Sequence, residues 1–191
     1  MKVCILDSFE KSSTISECVY NEIKKEFVGE SPDIAHITLN TMEVQLCKGC
    51  LGCWWVSPGK CVISDSFQQI AREYINSDVA VILTRVTFGG YDGQMKRVVD
   101  RFACLLSALF KDINGECHHR KRYAKYPNII CIGVMEEKND EEAGIFNQLI
   151  ERNAMNLHSN LWYSDIIEAA ECDSPEAICG VVKKAVMKVR N

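Results

Sequence analysis

No apolar run in this 191-residue chain approaches the ~18–20 residues needed to cross a bilayer. Positive charge is not in excess either: 22 Lys and Arg stand against 26 Asp and Glu, for a net charge of -4. That balance leaves no electrostatic footprint for nucleic acid. Two phosphate-binding signatures are missing, the dinucleotide fingerprint G-x-G-x-x-G and the Walker loop G-x-x-x-x-G-K-S/T. Internal repeats, low-complexity tracts and interdomain linkers are also missing, so residues 1–191 read as one domain. Lys2-Val3-Cys4-Ile5-Leu6-Asp7 opens the chain with neither a basic leader nor a small-residue cleavage site. The expectations are a cytoplasmic protein with no membrane or nucleic-acid partner.

An apolar fraction of 47% and a charged fraction of 25% fit an ordinary globular protein. The 11 cysteines would imply disulfides in a short secreted chain, but reduced thiols doing metal or redox work in an intracellular one. Short β-branched runs alternate with stretches of helical period, the mark of a parallel sheet covered on both faces. Strands are expected at Lys2–Asp7, Asp33–Leu39, Val79–Thr84, Asn128–Val134 and Leu161–Ile167. Helices are expected at Thr14–Val28, Ser66–Ile75, Gln94–Phe110, Glu141–Leu157 and Pro175–Val189. Right-handed crossovers then favour an α/β doubly wound, five-stranded parallel sheet in the order 2-1-3-4-5, with its ligand crevice at the carboxyl ends of strands 1 and 3. Two connections are long: a cysteine-rich loop, 40–65, and a basic insertion, 111–127.

The first loop, Ser8-Phe9-Glu10-Lys11-Ser12-Ser13-Thr14, leads into a helix N-terminus. Its hydroxyls and free N–H groups serve either as a helix cap or as a phosphate cradle, and the residues leave both open. The third-strand loop runs Thr84-Arg85-Val86-Thr87-Phe88-Gly89-Gly90-Tyr91-Asp92. Its small residues let the backbone approach a flat ligand while Phe88 or Tyr91 covers a face, an arrangement that suits an isoalloxazine ring. A receiver domain would carry its phosphoacceptor aspartate where Thr84-Arg85 stands. Cys47, Cys50, Cys53 and Cys61 place four thiols in one glycine-containing loop, a density typical of iron–sulfur or zinc ligation. The same cysteines are compatible with a metal-free packing loop or a disulfide. His118-His119-Arg120-Lys121-Arg122-Tyr123 is a cationic cluster suited to a phosphate or an interface, or simply to solvent.

A threonine ending strand 3, a Phe-Gly turn, Lys96 one turn into the helix and Asp100-Arg101, with the cysteine loop, resemble the NADPH-dependent FMN reductase and iron–sulfur flavoprotein branch of the flavodoxin-like superfamily. The resemblance implies FMN held by Ser8, Ser12, Ser13 and Thr14 at the phosphate and by Thr84, Val86, Thr87, Phe88 and Gly89 along the ring. It implies NAD(P)H as donor and a 4Fe-4S cluster on Cys47, Cys50, Cys53 and Cys61. Arg85 and Thr87 stand where such proteins commonly have proline and an aromatic residue, and Glu10 where a basic residue is often found. Asp100 and Arg101 read as a capping or buried ion-pair element.

The expected activity is FMN-dependent NAD(P)H oxidoreduction toward a small-molecule or redox-protein acceptor. A flavodoxin-type electron carrier and a flavin-free binding module are the alternatives. The cysteine loop, leaving strand 2 on the cofactor side, is expected near the flavin, within one subunit or across an interface. A homodimer or homotetramer anchored by Trp54, Trp55 and Tyr91 completes the reading.

Overall fold

Alternation along the first strand sorts the core. In β1 (Lys2–Asp7), Val3 and Ile5 face one side and Cys4 and Leu6 the other, all buried. Both faces are therefore covered. A computed structural model describes residues 1–27, 33–113 and 115–190. On the face of Val3 and Ile5 pack α1 (Thr14–Glu26) and α6 (Pro175–Arg190), through Ile15, Val19, Ile178 and Val182. On the other face, beyond the one-turn α2 (Gly52–Trp55) of the cysteine loop, pack α3 (Phe67–Ile75), α4 (Gly93–Arg101) and α5 (Asp140–Asn156), through Ile70, Val98 and Phe146.

Between these layers β1 pairs in parallel with β2 (Asp33–Thr38) and β3 (Val79–Thr87), and β3 with β7 (Asn128–Met135), which pairs with β8 (Trp162–Glu168). The order β2-β1-β3-β7-β8 is the expected 2-1-3-4-5, a flavodoxin-like arrangement. The expected first helix extended to Val28, which lies outside the described residues. β3 runs three residues past its expected end and turns back on the two-residue β4 (Gly90–Tyr91), pairing Val86 with Tyr91 and Thr87 with Gly90.

One expected helix is corrected. Gln94–Phe110 continues an apolar helical pattern, yet α4 stops at Arg101, a short 3-10 turn covers Phe102–Leu105, and the chain enters β5 (Leu106–Ile113). β5 pairs antiparallel with β6 (Glu116–Lys121), so the basic insertion is half of a hairpin. Arg101 is captured by groups of the cysteine loop at the helix end, and cross-strand pairing then outweighs local periodicity. The signal was Asn114-Gly115, the dipeptide most suited to a two-residue hairpin turn, and Gly115 has φ +84°.

Candidate functional site

The crevice at the carboxyl ends of β1 and β3 is organised by an aspartate that the sequence reading did not single out. Asp92 caps α4, its Oδ1 accepting from Gln94 N and Met95 N at 2.9 Å each. Its Oδ2 accepts from Ser8 Oγ, from Thr84 Oγ1 at 3.1 Å and from Arg85 N at 3.3 Å. Ser8 and Thr84 are buried, and their hydroxyls bridge this carboxylate to the backbone, Ser8 Oγ also lying 3.2 Å from Leu83 O and Thr84 Oγ1 3.0 Å from Arg85 O. A polar residue just before a helix was the available signal; that it would reach two strand ends was not legible.

The remaining expected ring residues stand on the β3–β4 turn. Val86 is half-buried, Thr87 exposed, and Gly89 buried with its N–H 3.3 Å from Glu142 Oε2. Phe88 and Gly89 have φ of +50° and +69°, the paired left-handed residues of a type I′ turn. A Cβ at Gly89 would sit 2.7 Å from Ile145 Cγ2, so a side chain here would be strained and would have to displace Ile145. Phe88 is 92% exposed, the most exposed large apolar side chain among the described residues.

The first loop splits its hydroxyls between two cavities. Ser13 and Thr14, at the N-terminus of α1, line a cavity of about 180 Å³ with Phe9, Arg85, Glu136 and Asp173. Ser13 Oγ also caps α1 by accepting from Ser16 N at 3.4 Å. The Arg85 guanidinium stacks 4.3 Å from the Phe9 ring centroid and pairs with no carboxylate among the described residues. A cation from β3 thus stands beside the loop that carries Glu10 in place of a basic residue. Ser12 faces the other way, into a cleft of about 710 Å³ with Lys11, Tyr20 and His36. Beneath that cleft the buried Asp7 accepts from Ser16 Oγ, from Phe9 N at 2.8 Å and from His36 Nε2 at 2.9 Å, and Tyr20 stacks on His36. The sequence reading missed His36, which an edge-strand position did not mark.

Cys47, Cys50, Cys53 and Cys61 border a single small cavity of about 50 Å³. The loop is clamped by Arg101, whose side chain is fully buried. Its guanidinium donates to Gln45 O and Ile63 O, each at 3.2 Å, and to Asp65 Oδ2 at 2.6 Å, and lies 4.2 Å from the Phe67 ring centroid. Arg101 lines the cysteine cavity, and its buried Nε has no hydrogen-bond partner. The Cys53 thiol is pushed up by burial and by the neighbouring Cys61, Cys47 and Cys50. Among the described residues, no three Cys, His, Asp or Glu side chains are placed to hold one metal ion.

Within one chain the cysteines do not border the ring loop. Their cavity abuts Ala103 and Arg101 at the C-terminal end of α4, whereas the ring loop precedes its N-terminus. The nine residues of α4 separate them by about 13 Å at ~1.5 Å per residue. Trp54 is also turned inward, its Nε1 donating to Ala103 O at 2.8 Å, and Tyr91 is buried. Of the three expected interface anchors only Trp55, 72% exposed, is free to serve. In the basic cluster, His118 lies 3.0 Å from Glu116, His119 packs between Trp54 and Phe110, and Arg120 and Arg122 donate to hairpin carbonyls.

No protein-family model and no curated protein matches the chain. Solved structures do. The NAD(P)H:quinone oxidoreductase from Methanothermobacter marburgensis superposes with a TM-score of 0.71 at 10% identity, over 100% of this chain and 98% of its own. The azoreductase AzrA gives 0.66 at 12%, over 99% of each chain. An FMN-dependent NADH-azoreductase from Bacillus anthracis, in complex with FMN, gives 0.63 at 12%, over 96% of this chain and 94% of its own. At such identities the likeness establishes the shared flavodoxin-like fold. No described helix is long and apolar enough to cross a membrane.

Proposed function

We propose that this chain is an FMN-dependent NAD(P)H oxidoreductase passing electrons to a small-molecule or protein acceptor, with a 4Fe-4S cluster as a second centre on the cysteine loop. Phe88 carries the reading. It breaks two local rules at once, an aromatic side chain in the left-handed region and almost wholly in solvent, beside the crevice where this fold binds ligands. Such violations mark functional positions, and covering a flat ring is the compensating gain. The FMN-dependent NADH-azoreductase and NAD(P)H:quinone oxidoreductase activities named for similar structures support the same reading.

FMN, when bound, supplies hydride acceptance from the nicotinamide and release of electrons singly or in pairs. This chain's residues bind and orient. Ser13 and Thr14 offer N–H groups and hydroxyls at the positive end of α1, and Arg85 adds a guanidinium fork for the phosphate. Val86, Thr87, Phe88 and Gly89 of the β3–β4 turn would hold the ring. Asp92 holds Ser8 and Thr84 and so fixes the two strand ends beneath the ring loop.

Four thiols lining one cavity beside the buried Arg101 guanidinium support the cluster reading, since a cationic group there favours anionic sulfur. Burial and the neighbouring thiols push the Cys53 thiol up, so a bound cationic centre would supply what ionises it.

Anaerobic purification tests both parts. FMN, not FAD, should be released on denaturation, and NAD(P)H should bleach the bound flavin. Iron and acid-labile sulfide should each approach about four per chain. Thr14→Val should weaken FMN by about 1–2 kcal/mol, the scale of a hydrogen bond to a charged group. Exclusive FAD binding sinks the cofactor assignment, and absence of iron after reconstitution sinks the cluster alone.

A further inference from the structure

A separate groove of about 550 Å³ borders the cysteine loop at its Cys61 end. Its floor is apolar, with Phe67, Ala71 and Leu105 buried and Ile75 half-buried. Its rim carries the exposed cations Lys60, Arg72 and Lys125. No aspartate or glutamate lines it, although the chain as a whole has a net charge of -4. Lys125 is paired with Asp78, but Lys60 and Arg72 have no carboxylate partner among the described residues. No residue of the first loop or of Thr84–Gly89 reaches the groove, so it is distinct from the crevice. Cys61 belongs to both the groove and the four-cysteine cavity. The Cys104 thiol in its wall is pushed up to about 12 by burial and by the nearby Cys53 and Cys61, so it stays a neutral, apolar contact.

We propose that this groove binds a small organic anion with a flat apolar body, such as an aromatic carboxylate. Unpaired cations beside an apolar floor make charge-assisted hydrogen bonds to a carboxylate while the ring buries apolar area. A neutral analogue gains only the second contribution. The assignment of a role rests on the electron-transfer reading: an occupant whose flat body is a quinone is the acceptor, taken up beside Cys61 while the nicotinamide uses the crevice at the other end of α4, and NAD(P)H with one proton from solvent leaves NAD(P)⁺ and the hydroquinone. Donor and acceptor then occupy different sites and do not displace each other.

Calorimetric titration of the oxidised holoprotein with 2-naphthoate and with 2-naphthylmethanol tests the groove. Naphthoate should bind saturably and at least about tenfold more tightly than the alcohol, the factor expected from one charge-assisted hydrogen bond. The double variant Lys60→Gln, Arg72→Gln, altered only at exposed side chains, should lose about tenfold or more of that affinity and retain its circular dichroism. Saturating NADP⁺ should leave naphthoate binding unchanged. Equal affinities for acid and alcohol, an unaffected double variant, or displacement by NADP⁺ would each overturn the groove. Flavin reduction by NAD(P)H, followed in the same preparation, reads the underlying assignment separately: its absence with naphthoate still bound overturns the acceptor role and not the site.

Discussion

Arg101 takes a full positive charge into the interior and meets one carboxylate there, Asp65, which is itself only 7% exposed. Burial alone would raise the Asp65 carboxyl, but hydrogen bonds from Arg101 and from the N–H groups of Gln45 and Phe67 outweigh it and hold it below the ordinary carboxylate value. Burial disfavours the Arg101 charge as well, and Asp65 with Cys61 more than restores it. Arg101→Met should therefore destabilise the protein by about 3–5 kcal/mol, because it leaves a buried carboxylate unpaired. A group with a depressed native pKa contributes stability above its unfolded value of about 3.9, and that contribution is lost as the pH falls through the native value. Thermal unfolding followed from pH 6 down to about pH 2 should show the parent losing stability below about pH 4 more steeply than Asp65→Asn. Parallel curves would mean that the pair contributes nothing. Asp100-Arg101 was legible as an ion-pair element, but its partners are divided: Arg101 finds Asp65, while Asp100 pairs with Lys96 at 2.5 Å on the helix surface.

At the scale of the element, the β3–β4 turn sets stability against binding. A type I′ turn wants Asn-Gly, and this one has Phe88-Gly89. Phe88→Asn should stabilise the apoprotein by about 0.5–1 kcal/mol, since asparagine accepts the left-handed region and phenylalanine does not. The same change should weaken FMN by about 0.5–1.5 kcal/mol, the scale of an aromatic contact beyond its buried area. Denaturant unfolding of the apoprotein and a flavin titration measure the two effects. A stability gain with unchanged FMN affinity would remove Phe88 from the site. The β5–β6 hairpin makes the complementary point about legibility. Val98, Phe102, Leu105 and Leu109 keep a helical spacing, yet the helix ends where Arg101 meets groups 36 and 56 residues upstream and cross-strand pairing takes over.

Over the whole molecule, apolar surface is concentrated on the cysteine loop and the hairpin. Leu46, Trp55 and Val56 are 65%, 72% and 78% exposed, and Leu109 and Phe110 on β5 are 59% and 52% exposed. Patches of this kind serve assembly more often than solvent. A homodimer or homotetramer is the expected state, and Trp55→Glu should shift it toward monomer, since aromatic anchors dominate interface energies. Sedimentation at micromolar concentration decides it. A monomeric parent would refute the assembly, and with it any route by which the cysteine cavity of one copy reaches the crevice of another.

The amino-acid sequence by itself determined the sheet, its strand order and both covered faces, because burial of alternating β-branched runs is a local property repeated along the chain. Cysteine spacing likewise brought four thiols to one cavity, since a loop this short and this rich in glycine has few ways to separate them. Only the tertiary structure decided which neighbours each group would meet. Asp7, Ser16 and His36 come from three different segments, while Ser8 joins Asp92 and Thr84 of the third-strand loop and Arg101 joins Gln45 and Asp65 of the cysteine loop. Each set forms because a buried charge must be satisfied by whatever the packed layers bring within reach. A charge's partners are set by the fold, which no local pattern in the chain records.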